Sequence, residues 1–255
     1  MKKYSANNKE FKDYFSDQTV AYNAYRPDYP EDMFTYLASI APGSTLAWDC
    51  ACGTGQASIH LVKYFQNIIA TDASRSQITN AVTHPRIEYR VETAEHSSLQ
   101  NHSVDLIVVG QALHWFDMTA FFSEARRVLT AEGIFAAWSY NLLTLTPEID
   151  LIINDLNRNI LGDYWAPERK LVENNYGDIV FPFANSITEQ FTMRENWDFD
   201  QLLGYLGTWS AVRSYQQRQH MNPLDLIKDK LQQAWGSQTN TKLVRWPVTL
   251  KIGRD

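Results

Sequence analysis

Cysteine is nearly absent from this chain of 255 residues, which contains only Cys50 and Cys52. Because the two lie two positions apart in one glycine-containing turn, they cannot form an unstrained disulfide with each other. A zinc site needs about four ligands, and no second cysteine pair or paired histidines complete one here. The sequence thus argues against a disulfide scaffold and predicts no metal centre.

Long apolar runs are also missing. No stretch approaches the length of a membrane span, and Lys2 and Lys3 are not followed by the apolar run of a secretory signal. The formal net charge of −6 provides no overall attraction to phosphate backbones or anionic membranes. We therefore expect a cytoplasmic protein with no nucleic-acid or membrane partner. The oligomeric state, monomer or dimer, is left open.

From residue 45 onward, apolar segments of strand length alternate with helical segments. The predicted strands are 45–49, 68–72, 87–91, 104–109 and 133–140. Five such strands separated by helices favour an α/β fold with a doubly wound, mostly parallel sheet. Upstream of them, the sequence predicts helices over 11–25 and 30–40.

After Asn141 the regular alternation ends. Apolar residues at helical spacing predict a helical cap over 146–176. Strands at 186–193 and 243–252, flanking a helical segment over 199–215, would add an antiparallel edge to the sheet. We expect one domain over 1–255, with N-terminal helices in 1–43, a cofactor-binding core in 44–141, a cap insertion in 142–185 and the sheet edge in 186–255.

The most informative motif is L-A-W-D-C-A-C-G-T-G, which ends at Gly55, followed by the strand I-I-A-T-D that ends at Asp72. The glycines allow the backbone to bend sharply and to lie against a ligand. Asp72 follows Gly55 by 17 positions (72 − 55), close to the spacing at which an acid accepts hydrogen bonds from a ribose. This pattern indicates a nucleoside-containing cofactor.

The details of the turn favour one cofactor. A dinucleotide site would have a third glycine where this chain has Ser58. Asp49, immediately before the turn, would repel a pyrophosphate but attract a cation. S-adenosylmethionine carries a sulfonium and an ammonium and no phosphate, so the sequence favours it over a nicotinamide dinucleotide.

Four motifs, D-C-A-C-G-T-G, I-I-A-T-D-A-S, V-D-L-I-V-V-G-Q-A-L-H-W-F-D and A-R-R-V-L-T-A-E-G-I-F-A-A-W, carry a resemblance to a known family. Over about residues 22 to 141 the chain resembles the class I S-adenosylmethionine-dependent methyltransferases. The runs Y-N-A-Y-R-P-D-Y-P and H-W-F-D are similar to the branch that includes trans-aconitate methyltransferases. The resemblance implies a Rossmann-like, seven-stranded sheet and S-adenosylhomocysteine as the product of the cofactor.

The resemblance also implies which residues bind the cofactor. Asp49 would accept from the ammonium and Asp72 from the ribose, and the third strand departs from the family by having Thr93 where the acid that contacts adenine commonly lies. The adenine contact is left open between Thr93, the backbone at Ala94, and Glu95. The complete cofactor set is Asp49, Ala51, Cys52, Gly53, Gly55, Asp72, Ala73, Thr93, Ala94, Glu95 and Gln111.

His114 is the candidate catalytic residue, either as a base or only as part of the substrate pocket. Methyl transfer does not require a base, because the sulfonium is already an activated donor. An ionised carboxylate acceptor would instead need cations and aromatic walls. The candidates on this substrate side are Tyr22, Tyr25, Arg26, Trp115, Trp209 and Arg213.

We predict methyl transfer to a small organic acceptor, most simply at an oxygen and with a carboxylate as one candidate. A protein or nucleic-acid methyltransferase is disfavoured by the acidic charge and by G-Q-A-L-H-W where amino-directed DNA enzymes carry N/D-P-P-Y/F. Two further functions compete with this prediction: a catalytically silent S-adenosylmethionine-binding module and, more distantly, a nicotinamide oxidoreductase.

Overall fold

The computed structural model describes residues 25–255, which form a seven-stranded sheet in the order β3-β2-β1-β4-β5-β7-β6. Strands β1 to β5 are parallel, and β7 pairs antiparallel with both β5 and β6. This confirms the predicted fold class, including the antiparallel C-terminal edge. The strands are β1 (Leu46–Cys50), β2 (Asn67–Asp72), β3 (Ile87–Val91), β4 (Val104–Gly110), β5 (Leu129–Tyr140), β6 (Asn185–Trp197) and β7 (Lys242–Arg254).

Helices cover both faces of the sheet. One face packs around Phe34 and Trp138, and the other around Trp48 and Phe121. Because both faces are covered, the first six residues of β4 are all buried and show no alternation. The helices are α1 (Glu31–Ile40), α2 (Gln56–Leu61), α3 (Arg75–Thr79), α4 (Met118–Val128), α5 (Pro147–Asp155), α6 (Arg169–Glu173), α7 (Phe199–Gly207), α8 (Ser210–Gln219) and α9 (Lys228–Trp235).

The predicted helical segment over 199–215 consists of two helices, α7 and α8, with a break at Thr208 and Trp209. Helix α7 ends before Thr208, whose hydroxyl donates to the carbonyl of Tyr205 at 2.7 Å. Trp209 then adopts an extended backbone with ψ 133°, and its indole is buried against Trp165 at a ring separation of 5.7 Å. The free energy gained by burying this aromatic ring outweighs the free energy that a continuous helix would gain here.

The prediction of a helical cap over 146–176 is also only partly correct. Helix α5 continues into a π-helical turn over Leu156–Ile160, and a new helix, α6, starts only at Arg169. Pro167 cannot donate the backbone hydrogen bond that a continuous helix would need there. Asn175 and Tyr176 then take the left-handed conformation, with φ of 50° and 55°. These breaks, which periodicity does not show, direct several cap side chains toward the sheet.

Three strands, β5, β6 and β7, extend beyond their predicted bounds by three residues or more. Strand β5 starts at Leu129 rather than at residue 133, because Leu129 pairs with Val104 before an irregularity in the register. Strands β6 and β7 are paired over 13 residues each, from Asn185↔Arg254 to Trp197↔Lys242. The helix predicted over 11–25 lies outside the described residues except for Tyr25. Within residues 25–255, no helix is long and apolar enough to cross a membrane.

The segment before α1 is attached to the helix that follows the glycine turn. His60 of α2 contacts the carboxylates of Asp28 at 2.9 Å and Glu31 at 3.0 Å. The Gln56 side-chain amide donates to the carbonyl of Pro27 at 2.6 Å. These contacts fix the position of Arg26 relative to the core.

Glu124 of α4 is a buried carboxylate with several donors around it. It accepts from the backbone N–H of Ser97 at 2.8 Å and from the Arg127 guanidinium at 2.6 Å. Desolvation by burial raises its pKa, but the bonds from Arg127 and Ser97 outweigh this and lower the pKa to about 2, against an ordinary value of 4.5. The ionised form is therefore part of the stability of the fold.

We expect Glu124→Gln to lower the free energy of unfolding by about 2 kcal/mol at pH 7. Because the folded pKa is depressed, the stabilisation is complete above about pH 4.5 and is lost as the pH falls toward 2. The difference between wild type and variant, measured by urea unfolding at several pH values, should shrink in that window. Glu132→Gln, at an exposed glutamate, is the control; an equal loss there would contradict the assignment.

Candidate active site

The glycine turn lies at the carboxyl end of β1 and has an unusual backbone. Ala51, Gly53 and Gly55 have φ of 56°, 56° and 88°. A side chain at Gly55 would collide with the hydroxyl of Tyr89, so this glycine allows β3 to pack on the turn. A Cβ on Gly53 would meet only the Gln77 side chain, at 3.8 Å. The backbone is therefore open to close approach by a ligand at Gly53.

Asp49, the fourth residue of β1, is a carboxylate with only 1% exposure. It accepts a hydrogen bond of 2.5 Å from the hydroxyl of Ser58 on α2. Desolvation by burial raises its pKa to about 7, although the bond from Ser58 acts in the opposite direction. A bound cation near this carboxylate would favour its ionised form.

Asp72 ends β2 and is held by backbone donors on both sides. One oxygen accepts from the N–H of Gly53 at 2.9 Å and the other from the N–H of Ser74 at 2.8 Å. The two bonds fix the carboxylate beside the glycine turn and leave it partly exposed. A partly exposed carboxylate at the end of the second strand, beside the glycine turn, suits a ribose diol.

The end of β3 contributes the next group of predicted cofactor residues. Thr93 is exposed, Ala94 is buried, and Glu95 accepts from the backbone N–H of Asp117 at 3.0 Å. Glu95 therefore helps to position the start of α4. Ala73 is half-buried, directly after Asp72.

Neither cysteine of the turn is a reactive thiol. Burial raises the pKa of Cys50 and of Cys52 well above the ordinary value, and nearby carboxylates act in the same direction. Among residues 25–255, no group of three or more histidine, cysteine, aspartate or glutamate side chains is arranged to hold a metal ion.

A pocket of about 110 Å³ opens at the carboxyl ends of β4 and β5, beneath the cap. It brings together five of the predicted residues, Arg26, Gln111, His114, Trp115 and Trp209. Tyr25 and Arg213 are not part of the pocket wall, and Tyr22 lies outside the described residues. Tyr25 instead packs against Gly204 of α7.

Sequence reasoning missed Arg169, which starts α6 and lines the same pocket. Its guanidinium lies over the Trp165 ring at 3.8 Å from the centroid, and its Nε is 3.5 Å from the Glu173 carboxylate. Burial lowers its pKa, with a smaller contribution from the neighbouring charge of Arg26. The signal in the sequence was the run W-A-P-E-R, where a proline follows an aromatic residue and ends the helical pattern.

Arg26 reaches the pocket from the segment before α1. Its Nη1 donates to the Tyr140 hydroxyl at 2.8 Å, and the guanidinium lies 5.4 Å from the centre of the Tyr205 ring. No acidic side chain lines the pocket in the described part of the chain. Two guanidinium groups therefore share a small space with aromatic walls, which favours an anion.

Gln111 and His114 occupy the loop after β4. Gln111 has φ 56°, its N–H donates to the Trp138 carbonyl at 2.9 Å, and its side-chain amide donates to the Tyr140 carbonyl at 2.9 Å. Its Oε1 is buried with no hydrogen-bond partner among the described residues. The pKa of His114 is lowered to about 3 by burial and by Arg169, so the imidazole is neutral.

Comparisons with known proteins show the family to which the chain belongs. A family model described as a methyltransferase domain matches residues 48–137. A protein of Dictyostelium discoideum named as a methyltransferase is 33% identical over 252 residues, which covers 96% of each chain. This chain belongs to the class I S-adenosylmethionine-dependent methyltransferases.

Two further similarities support the identification. CRG1 of Saccharomyces cerevisiae, named as an S-adenosylmethionine-dependent methyltransferase, is 26% identical, with 84% of each chain covered. A solved structure from Anaeromyxobacter dehalogenans, named as a type II methyltransferase, is 40% identical, with a TM-score of 0.85 over 90% of this chain and 98% of the other. S-adenosylmethionine is thus the cofactor of this methyltransferase, and the open glycine turn, the buried Asp49 and the oriented Asp72 fit it.

We expect the affinity of this methyltransferase for S-adenosylmethionine to fall as the pH falls below about 7. Neutral Asp49 predominates below its raised pKa, and a cationic group pairs with the ionised form, so the loss approaches about tenfold per pH unit. Calorimetric titration of wild type and Asp49→Asn over a pH series measures it. The titration of the ligand's own ammonium affects both proteins equally. If the affinity of both proteins changes equally with pH, the expected pairing of Asp49 with the ammonium is contradicted.

Proposed function

We propose that this methyltransferase transfers the methyl group of S-adenosylmethionine to a carboxylate oxygen of a small organic acid. The observation that carries the proposal is the presence of Arg26 and Arg169 in one pocket that has aromatic walls and no acidic side chain within the described residues. Gln111 and His114 lie in the same wall, at the end of the strand adjacent to the glycine turn's own strand.

For the cofactor, we assign the ammonium to Asp49 and the ribose hydroxyls to Asp72. Ala51, Cys52, Gly53 and Gly55 form the turn against which the methionine portion lies. We assign the adenine to the segment of Ala73 and residues 93–95, which lies beside Asp72 at the same edge of the sheet. Ligands of doubly wound sheets bind at this edge, where the strand order reverses.

For the acceptor, we assign the carboxylate to the two guanidinium groups. Arginine can hold a carboxylate with two parallel hydrogen bonds, which fixes both position and orientation. The pocket is smaller than an engineered cavity of about 150 Å³ that accommodates benzene. The enclosed part of the acid is therefore compact, and Trp115, Trp165 and Trp209 exclude water around it.

The chemistry needs few protein groups. When bound, S-adenosylmethionine supplies an electrophilic methyl group and a sulfur that leaves with the electron pair of the broken carbon–sulfur bond. A carboxylate oxygen supplies the electron pair of the new bond and becomes the ester oxygen, so no proton is removed. The protein residues bind, orient and desolvate the acid, and this positioning can supply much of the rate.

The trans-aconitate methyltransferase branch, the cytoplasmic location and the substrate-side role of Tyr22 stay predictions from the sequence. Arg213 is replaced by Arg169 in this proposal, because Arg169 lines the pocket and Arg213 does not.

The test is a panel of small mono-, di- and tricarboxylic acids incubated with the enzyme and S-adenosylmethionine, with methyl esters detected by mass spectrometry. The matched amide of each acid is the control, since it keeps the shape without the charge. Ester formation from acids but not from amides supports the proposal. Methylation of neutral alcohols or amines, with no acid turned over, would refute it.

Arg169→Gln should lower kcat/KM for the accepted acid by about 10²-fold, close to the 1.5 to 3 kcal/mol of hydrogen bonds to a charged group. Arg169→Lys should recover only part of this, because lysine lacks the planar pair of donors. The affinity for S-adenosylmethionine should stay within about twofold. Arg158→Gln, at an exposed arginine of the same insertion, is the control and should leave the kinetics unchanged.

A further inference from the structure

Tyr176 has a backbone that a tyrosine adopts only under constraint. Its φ is 55°, and the preceding Asn175 has φ 50°. A left-handed conformation is unfavourable for a bulky residue and persists only where surrounding contacts enforce it. Lys251 of β7 donates to the Tyr176 carbonyl at 2.8 Å, and the Asn141 amide donates to the Asn175 side chain at 2.7 Å. The fold thus holds this residue in a strained geometry.

The strained backbone carries the Tyr176 phenol to the loop after β4. The ring is fully buried, and its hydroxyl lies 3.1 Å from Nδ1 of His114. The loop forms a 3₁₀ turn over Leu113–Trp115, whose first N–H groups have no partner inside the turn.

This arrangement determines the direction of the bond between the two side chains. A phenol oxygen has two acceptor positions and one proton. The hydroxyl is buried, so its proton needs an acceptor, and the hydrogen-bond partner found for it within residues 25–255 is Nδ1 of His114. The phenol proton is therefore directed to Nδ1. Burial raises the pKa of Tyr176, which keeps that proton on the phenol. Nδ1 is then an acceptor, and the imidazole proton resides on Nε2.

Nε2 is the nitrogen of His114 that can contact a ligand in the pocket. Within residues 25–255, no protein group is hydrogen-bonded to it, and His114 lines the cavity with Arg26 and Arg169. The side chains around the imidazole are Tyr176, Trp115 and the cation Arg169. None of these can accept a proton at neutral pH, so the Nε2–H is available to a ligand.

We propose that Tyr176 is a positioning residue that fixes His114 as an Nε2–H donor, and that this donor binds the carboxylate oxygen that is not methylated. The acceptor identity rests on the proposed function; the tautomer does not. His114 keeps its proton throughout, so the site selects acids that are already ionised. His114 in this tautomer cannot act as a base toward alcohols and amines that must lose a proton.

The tautomer can be measured without substrate or turnover. Imidazole ¹⁵N NMR of the full chain, with His114 assigned through His114→Gln, should show a protonated Nε2 and an unprotonated Nδ1, unchanged from about pH 5.5 to about 8. Tyr176→Phe should populate the other tautomer or change the Nδ1 shift. Tyr164→Phe, at a cap tyrosine whose hydroxyl bonds Gln219, is the control and should leave the spectrum unchanged. A protonated Nδ1 in the wild-type protein overturns the proposal.

Kinetics separate a donor from a base. A donor stabilises the bound anion, whose charge disappears during methyl transfer, so its loss should raise KM for the acid by about tenfold and leave kcat within about threefold. His114→Gln, which offers an amide N–H but no base, should recover most of the KM that His114→Ala loses. A loss of kcat by about 10²-fold in His114→Gln, with a rising pH profile in the wild type, would show base catalysis instead.

The two proposals fail in different ways. If the Nε2–H tautomer is observed but no carboxylic acid is bound or methylated, the proposed acceptor is wrong. The proposed contact between His114 and the carboxylate is then wrong as well, whereas the role of Tyr176 in fixing the tautomer stands. If acids are methylated while Nδ1 carries the proton, the acceptor stands and the role of Tyr176 is wrong. Thermal unfolding of Tyr176→Phe identifies loss of folding before either conclusion is drawn.

Discussion

The site depends on the reversal of strand order between β1 and β4. The chain moves outward from β1 through β2 to β3 and then returns to place β4 on the other side of β1. The connections after β1 and β4 therefore leave in opposite directions and open a crevice at the carboxyl ends of these strands. The buried carboxylate, the glycine turn and the loop with Gln111 and His114 all lie at this edge because the strands are parallel.

The second half of the chain completes the crevice rather than forming a separate unit. The antiparallel strand β7 binds β5 on one side, and its Lys251 also holds the backbone of Tyr176. The cap contributes Trp165 and Arg169 to the same pocket as Arg26, which comes from the N-terminal segment before α1. The proposed acceptor pocket is thus assembled from segments that are far apart in sequence, whereas the proposed cofactor residues lie mainly within β1 to β3.

This difference explains what could be predicted from the sequence. The strand of Asp49, the glycines after it and Asp72 follow local patterns of burial and turn geometry, and the fold derived from them is confirmed. Arg169 and Tyr176 lie in a segment broken by a π-helical turn, a proline and two left-handed residues. Their positions depend on contacts with β7 and with the loop after β4, which no local period encodes. For the same reason, the sequence analysis selected Arg213 as a substrate-side residue, although its helix starts only after the break at Trp209.

The two arginines also bear on how the enzyme would complete its cycle. The carboxylate that binds the two guanidinium groups in the proposed site becomes an uncharged ester group, so these groups lose the negative charge of the substrate at the moment of reaction. Arg26 and Arg169 then again repel each other in a small, poorly solvated space. The ester keeps its packing against the aromatic walls and its hydrogen bond from His114, but it has lost the ionic attraction and is displaced by the next carboxylate. Methyl transfer thus removes the negative charge through which the substrate binds, so the reaction itself lowers the affinity of the site for the product.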